Sequence, residues 1–316
     1  YRGHALEQYA KPQSTGDANR ALLRAMAISL LQTKLHIPPP RPHQIPRLHL
    51  IAKLHAGIEE GHPLVLVSAP AGFGKTTLLS DWAKESGHAV AWLTLDANDN
   101  DDTRFLAYLL AALQLTDERL GEGPLNAQLD AVPSDPENLL TVLINQINAL
   151  AWGDNESIGD LILVLDDFHV ITIEIIFEAV AFLLEHQPAN MHLVIATRSD
   201  PPLPLARLRG MGLITELRQS DLRFTEEEAG AFLTEMLGGK LLDEDILLLA
   251  TKTEGWAAGL QMAAVSMKGH EDVPTFIANF HGNDRYVMDY LVEEVLSRQT
   301  PFIQRFLLQS AVLNSN

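Results

Sequence analysis

The residues best suited to chemistry in this chain lie in a short glycine-containing loop around Lys75 and Thr76. An apolar run rich in β-branched residues at 63–67 precedes the loop and predicts a buried strand, and a helical pattern follows from residue 78. A strand, a glycine loop, a Lys-Thr pair and a helix form the expected context of a phosphate-binding P-loop. Glycines let backbone N–H groups turn inward around phosphate oxygens, and the positive N-terminus of the new helix faces the same anion.

Each side chain of this loop has an expected role in binding a nucleotide and Mg²⁺. Lys75 would neutralise charge on the β- and γ-phosphates, and the Thr76 hydroxyl would ligate Mg²⁺. The strict motif has glycine at position 69, where this chain has Ala69, but the Gly-x-Gly-Lys-Thr half is intact. The residues predicted to bind the phosphates are Pro70, Ala71, Gly72, Phe73, Gly74, Lys75, Thr76 and Thr77.

A second motif ends in two carboxylates. The apolar residues 161–165 are followed directly by Asp166 and Asp167, as in a buried parallel strand that delivers polar groups to its C-terminal end. Ligands of open α/β sheets bind outside those ends. Asp166 is predicted to organise Mg²⁺, directly or through water, and Asp167 to position an attacking water as a general base. Alone, the pattern is more typical of a strand with an acidic turn; together with the P-loop it predicts catalytic carboxylates.

Arg198 follows another buried strand at 192–197. If this strand neighbours the strand that ends at Asp166, the guanidinium lies beside the carboxylates and can sense a γ-phosphate. The alternative is a surface ion pair with Asp200 or Glu216, and the sequence alone favours neither.

Composition restricts the class of protein. A length of 316 residues allows two or three compact units. A net charge of −18 argues against nucleic-acid binding by this chain itself. The absence of cysteine excludes disulfides and thiolate metal sites, and it fits a cytosolic protein. We find no apolar stretch long enough to span a bilayer, no signal-peptide pattern and no trusted metal-ligand spacing among the histidines.

The remaining pattern predicts the elements that hold these motifs, an α/β fold with a parallel sheet flanked by helices. The proline-rich segment 31–42 is expected to be extended, and it would lie over the nucleotide base or serve as a plain linker. In this part of the chain, further helices are expected at 47–54, 103–114, 137–150 and 173–186, and further strands at 89–96 and 213–217.

A separate helical region is predicted to begin near Leu222. Thr225 and Glu228 form a capping box, the sequence pattern of a helix N-terminus. Trp256 is expected to be a core residue or a lid against the nucleotide. The helices expected in this region span 226–237, 243–252, 255–267, 284–298 and 301–311.

Together these motifs resemble the nucleotide-binding module of MalT-like regulators, which are LuxR-type bacterial transcription activators of the STAND class of P-loop ATPases. The resemblance covers about residues 31–316, and Ala69 is normal in that family. The segments that carry it are 31–41, 68–77, 165–169, 196–198, 222–229 and 254–261.

The resemblance implies a division of the chain into four segments. Residues 1–30 lie outside it and form an arm of unknown role, and 31–220 form the nucleotide-binding α/β domain. A helical domain at 221–283 and the beginning of a winged-helix domain at 284–316 follow. In such proteins a repeat-built sensor domain and a helix-turn-helix domain come next, so the chain is expected to be a fragment or a truncated product.

The resemblance also implies a function. ADP would hold the module closed, ATP with an inducer would open it and drive self-association, and slow hydrolysis would reset it. The inducer, an unknown small molecule or protein, would act through the missing C-terminal domains, and DNA would be bound only there. No membrane partner is expected, and the expected location is cytoplasmic.

Further site residues follow from the resemblance alone. Ile45, Pro46 and Arg47 would lie near the adenine, and Arg198 would be the phosphate sensor. The segment 255–259, with Gly255 and Trp256, would contact nucleotide from the helical side. Related modules often have proline where this chain has Ala257 or Ala258.

Three other functions remain open. A catalytic P-loop ATPase or a small-molecule kinase would need an acceptor site or an arginine finger, and the sequence offers no clear candidate. An interaction scaffold with a degenerate site is disfavoured by the intact Lys75, Thr76 and Asp166. A defence-type STAND protein would share every motif.

Overall fold

The computed structural model describes residues 30–120, 136–150, 160–239, 241–267, 273–280, 285–297 and 302–306. The arm expected at 1–30 lies outside these ranges except for Leu30, and the helix expected at 301–311 is described only at 302–306.

The strands of the described ranges are β1 (Leu64–Ser68), β2 (Ala89–Thr94), β3 (Leu161–Asp166), β4 (Met191–Thr197) and β5 (Ile214–Arg218). They form one parallel sheet in the order β2-β3-β4-β1-β5. β4 therefore lies between the P-loop strand β1 and the acidic strand β3. These three inner strands are buried along their whole length, which explains their uninterrupted apolar sequences.

Helices flank the sheet and continue beyond it. The helices of the α/β part are α1 (Leu48–Glu59), α2 (Lys75–Glu85), α3 (Asp102–Gln114), α4 (Pro136–Ala149), α5 (Glu174–His186), α6 (Leu205–Met211) and α7 (Gln219–Leu222). The later helices are α8 (Glu226–Leu237), α9 (Asp243–Thr253), α10 (Ala257–Met267), α11 (Val273–Asn279) and α12 (Arg285–Tyr290), followed by a π-helical turn at Leu291–Leu296. Within the described ranges, no helix combines the length and apolar composition that crossing a bilayer requires.

Side chains of the inner strands alternate between two apolar layers. In β1, Leu64 and Leu66 enter one layer, whereas Val65 and Val67 enter the other. Residues of α3, α4 and α5 complete the first layer, and residues of α1 and α2 complete the second. The sheet is thus enclosed by helices on both faces, and the predicted α/β fold is confirmed.

The segment 31–47 that precedes α1, called the lead-in below, differs from the extended path predicted for residues 31–42. Gln32–Leu35 forms a 3-10 turn, which the prolines do not prevent because they begin only at Pro38. The buried Lys34 amine stabilises the turn by donating to the carboxylate of Asp99. The Pro38 carbonyl accepts a hydrogen bond from the Ser80 hydroxyl of α2 at 2.6 Å. The lead-in is therefore anchored to the α/β core and is not a free linker.

Arg47 joins this lead-in to the start of the helical region. Its side chain is 7% exposed, and its guanidinium donates to both carboxylate oxygens of Glu228 at 2.9 Å. It also donates to the carbonyls of Leu222 and Arg223 at 2.9 and 2.8 Å, and it stacks on the Phe224 ring. A buried guanidinium with this many partners fixes the position of α8 relative to α1.

The helical region has a core of its own. The predicted capping box is present, because Thr225 and Glu228 exchange side-chain-to-backbone hydrogen bonds at the start of α8. Residues of α8, α9 and α10 share one apolar cluster with Phe280 and Val287. Val287 belongs to α12, beyond the boundary expected at 283, so α12 packs with the helical region. The winged-helix assignment of 284–316 stays a prediction.

Replacing Arg47 by alanine is expected to lower the free energy of unfolding by about 3 kcal/mol, because it leaves Glu228 and several carbonyls of the junction without their buried donor. Urea denaturation measures the loss. The matched control is Lys53→Ala, which removes an exposed ion pair to Asp221 and should cost under about 1 kcal/mol. Equal losses in the two variants would contradict the structural role given to Arg47.

Candidate functional site

The P-loop connects β1 to α2 and borders a cavity of about 620 Å³ at the carboxyl edge of the sheet. Gly72 and Gly74 have φ values of 80° and 78°, a left-handed conformation that glycine adopts without steric cost. Gly74 is the N-cap of α2, so the helix begins at Lys75 and its first turn lines the cavity. The N-terminus of a helix favours bound anions at this position.

Lys75 reaches into the cavity from the first turn of α2. Its side chain is buried, and its amine donates to the carbonyls of Ala69 at 2.7 Å and Pro70 at 3.0 Å. Burial lowers the pKa of Lys75 to about 8, with the negative charges of Asp167 and Asp166 opposing the shift. A desolvated cation of this kind gains strongly from an incoming phosphate.

Thr76 and Asp166 meet at the same edge of the sheet. The Thr76 hydroxyl donates to Asp166 Oδ1 at 3.1 Å, and the backbone N–H of Asp167 donates to the same oxygen at 3.0 Å. Burial raises the pKa of Asp166 to about 6, and the adjacent charge of Asp167 adds to the shift. A hydroxyl and a buried carboxylate at hydrogen-bond distance form an oxygen ligand set suited to Mg²⁺.

Asp167 adopts a left-handed backbone conformation, with φ of 56°. This turn follows β3, and Asp167 lines the cavity while its neighbour Asp166 stays buried. Its side chain is 41% exposed, and Oδ1 lies 3.6 Å from Nδ1 of His169. An accessible carboxylate beside a buried one matches the division of roles predicted for the pair, which stays a prediction.

Arg198 follows β4 and lines the cavity, as expected if its strand neighbours β3. The alternative, a surface pair with Asp200 or Glu216, is wrong, because Arg198 binds Glu294. Both acids instead bind Arg209 and Arg218 in an exposed network near the end of β5. Asp200 and Glu216 are thus already paired, and Arg198 instead lines the cavity and binds a different carboxylate there.

The partner of Arg198 is Glu294, in the π-helical turn after α12. Arg198 Nη2 donates to Glu294 Oε2 and Nη1 donates to the Glu294 carbonyl, both at 2.9 Å. Tyr290 lies four residues earlier and also lines the cavity. Residues of α12 and the π-helical turn therefore line the cavity near the P-loop.

Residues of the helical region donate hydrogen bonds to backbone carbonyls of the P-loop. Trp256 Nε1 donates to the Ala71 carbonyl, and the backbone N–H of Ala258 donates to the Gly72 carbonyl, both at 3.0 Å. Trp256 also packs against the apolar clusters of both regions, so it is a residue of the junction between them and contacts the P-loop itself.

Gly255 has φ of 68°, and a Cβ there would lie 2.5 Å from the Phe224 carbonyl. The cavity wall on this side comes from Ala257, Ala258 and Gln261.

The other end of the cavity is lined by the segment that precedes α1. Ile45 and Arg47 line it, together with residues 41–44 of the lead-in, and Pro46 lies between them in the chain. The guanidinium of Arg47 is engaged with the junction to α8, as described above. Its position permits contact with a ligand through its stem more readily than through its donors.

Sequence reasoning missed several cavity residues. Phe224, Phe232 and Met236 contribute apolar wall, and Gln44 Nε2 donates to the carboxylate of Asp81. Asp81 lies on α2 six residues after the P-loop lysine, a spacing that could have placed it beside the cavity. For Phe224, Phe232 and Met236 no local signal existed, because their contribution depends on how the helical region docks.

A nucleotide with Mg²⁺ fits this arrangement. The loop offers positive-φ glycines and a buried cation, and Thr76 and Asp166 offer oxygen ligands 3.1 Å apart. The cavity volume of about 620 Å³ lies within the range of small-molecule and cofactor sites.

Comparison with known proteins agrees with this geometry. The family described as AAA ATPase domain matches residues 41–196, which include β1 to β3 and all of β4 except its last residue. A Walker-type ATPase of Pyrococcus abyssi shares the fold, with a TM-score of 0.53 and 14% identity over 88% of this chain and 79% of that one.

Two similar relatives are regulators named HTH-type transcriptional regulator MalT. That of Klebsiella pneumoniae is 34% identical over 289 residues, and that of Serratia proteamaculans is 35% identical over 295 residues. Each alignment covers 90% of this chain but 31% of the relative, so the chain spans about a third of their length. The ATPase match covers most of the strands that build the cavity, and the similarity to the MalT regulators extends over 90% of this chain, so we conclude that the chain contains a P-loop ATPase domain and is similar to MalT regulators over most of its length.

Proposed function

We propose that this chain is the ATP- and ADP-binding switch module of a signal-responsive transcriptional regulator, with an ADP-bound resting form and slow ATP hydrolysis. The observation that supports this most directly is the convergence of Lys75, Thr76 and Asp166 at one end of a cavity whose walls come from two regions of the chain. Relatives that carry a similar module are named as regulators, which favours a regulatory use of the nucleotide.

The chain's own groups divide the work of binding and hydrolysis. Lys75 binds phosphate oxygens, and the first turn of α2 adds backbone N–H donors. Thr76 and Asp166 would hold Mg²⁺, which supplies charge neutralisation at the phosphates when bound. Asp167 orients water and accepts its proton. Arg198 senses the terminal phosphate.

A switch requires that the two conformational states of the protein bind a given nucleotide with different affinities. What supports such a difference is that the P-loop and Arg198 come from the α/β part, whereas Ala258, Tyr290 and Glu294 come from the helical part. A change in nucleotide charge therefore acts across the junction. The ATP state would self-associate, whereas response to an inducer and DNA binding would involve regions that this chain does not span.

The first expected outcome concerns bound nucleotide. Denaturing the purified chain should release ADP at close to one equivalent, identified by ion-pair chromatography. Lys75→Ala should release little and bind added ADP about 10- to 100-fold more weakly, because a charge-assisted contact to phosphate is lost. Lys84→Ala is the matched control, since it removes an amine from the other end of α2 that bonds to Ser80 and Pro38.

Two results would contradict the proposal. A chain that neither contains nor takes up any adenine nucleotide would favour the scaffold function. Equal binding by Lys75→Ala and Lys84→Ala would show that the nucleotide lies elsewhere.

Nucleotide binding should have an optimum between pH 6 and 8. Lys75, whose pKa is lowered to about 8, carries its charge below that pH, so affinity falls as pH rises through 8. Asp166, whose pKa is raised to about 6, is ionised above that pH, so the Mg²⁺-dependent part of the affinity falls as pH drops through 6. Calorimetric titration of ADP from pH 5 to 9 tests both limbs.

The acid limb has a specific control. In Asp166→Asn, or with a chelator in place of Mg²⁺, the loss of affinity below pH 6 should disappear while the alkaline limb remains. An acid limb that persists in both conditions would assign it to another group.

Turnover of ATP should be slow, far below the enzyme median of about 10 s⁻¹, because a switch depends on the lifetime of its states. Asp167→Asn should lower the rate by a further factor of about 100, since the group that accepts the proton of water is removed. Release of labelled phosphate under single-turnover conditions measures both rates. Fast multiple turnover by the unmodified chain would favour the ATPase-enzyme alternative.

A further inference from the structure

The segment 285–297 approaches the phosphate end of the cavity through two side chains on consecutive turns. The Tyr290 ring packs edge-on against Trp256 with centroids 5.5 Å apart. Its hydroxyl would lie 2.9 Å from a Cβ placed on Gly72, so the ring is directly against the P-loop. Glu294 follows four residues later and takes both terminal nitrogens of Arg198.

The pair of Arg198 and Glu294 is partly shielded from solvent. Their side chains are 22% and 32% exposed, and both line the cavity that contains Lys75. The charge of Arg198 acts on Lys75, because it contributes to the lowering of the lysine pKa. An anion held by Arg198 therefore lies within electrostatic range of the phosphate-binding amine.

Glu294 adds a third carboxylate to a site that already contains Asp166 and Asp167. Two cations, Lys75 and Arg198, face these three acids. A nucleotide diphosphate can use Lys75 while Arg198 stays paired. A triphosphate brings additional negative charge that competes with Glu294 for Arg198, and it does so in a partly buried site where repulsion is weakly screened.

We propose that Glu294 determines the nucleotide preference of the site, because its carboxylate holds Arg198 and disfavours a third phosphate. This inference rests on the proposed function and extends it to one residue. A triphosphate that captures Arg198 removes two hydrogen bonds that join the π-helical turn to the α/β part.

The test compares the dissociation constants of ADP and of a non-hydrolysable ATP analogue for the 316-residue chain and its variants. Glu294→Gln keeps the side-chain size and removes the charge. Its affinity for the analogue, relative to that for ADP, should rise about tenfold or more, while ADP affinity changes by less than about threefold. Glu293→Gln is the matched control, since it removes the same charge from an exposed neighbour and should leave the ratio unchanged.

A second variant separates charge from loss of packing. Tyr290→Ala removes the ring that packs on Trp256 and retains the charge of Glu294. It should change the affinities for both nucleotides in the same direction and leave the ratio of the two dissociation constants within about twofold of that of the unmodified chain. A ratio that shifts as much in Tyr290→Ala as in Glu294→Gln would overturn the inference, because segment docking alone would then explain it.

The outcomes also separate this inference from the proposed function. If both nucleotides bind and the ratio is unchanged in Glu294→Gln, the inference is overturned and the nucleotide site stands. If neither the unmodified chain nor any of its variants binds ADP or the ATP analogue, the proposed function is contradicted, and the inference that rests on it is contradicted too.

Discussion

The site depends on a few opposed charges in a place where water is largely excluded. Burial moves the pKa of Lys75 down and that of Asp166 up. The negative charges of Asp167 and Asp166 oppose the shift of the lysine, and hydrogen bonds from Thr76 and the Asp167 backbone, together with the charge of Lys75, oppose that of Asp166. The sheet order makes this possible, since β4 separates β1 from β3 and leaves room at their carboxyl ends for the P-loop and the acidic turn. The surrounding apolar layers fix those strand ends, so the packing of the fold also sets the electrostatics of the cavity.

The junction with the helical region is built from backbone groups as much as from side chains. Trp256 and Ala258 donate to carbonyls of the P-loop, and Arg47 donates to carbonyls beyond β5. Gly72 has no room for a side chain, because a Cβ there would lie 2.6 Å from the Ala258 Cβ. The loop conformation that exposes N–H groups to an anion is thus supported on its outer side by carbonyl contacts. A movement of the helical region would alter the loop directly.

Features written in local sequence could be predicted, and features that depend on docking could not. The continuous apolar runs of β1, β3 and β4, the helix stripes and the capping box at Thr225 each follow from the environment of adjacent residues. The pairing of Arg198 with a residue 96 positions away does not, and the local alternatives considered for it were wrong. The 3-10 turn at Gln32–Leu35 was likewise missed, because its stability comes from the contact of Lys34 with Asp99. In both cases a distant charge decided the conformation.

These long-range ion pairs have a common property that bears on function. Lys34 with Asp99 is buried within one region, and the further partners of the two groups, Asp96 and Arg104, belong to the same region, so the pair behaves as a fixed part of the fold. Arg198 with Glu294 spans two regions, is partly accessible and lies beside a cavity that accepts anions. A pair of the second kind can be exchanged for an incoming phosphate without exposing an unpaired buried charge. A ligand that takes the place of Glu294 at Arg198 would offset the cost of separating the two regions, which is what the proposed switch requires.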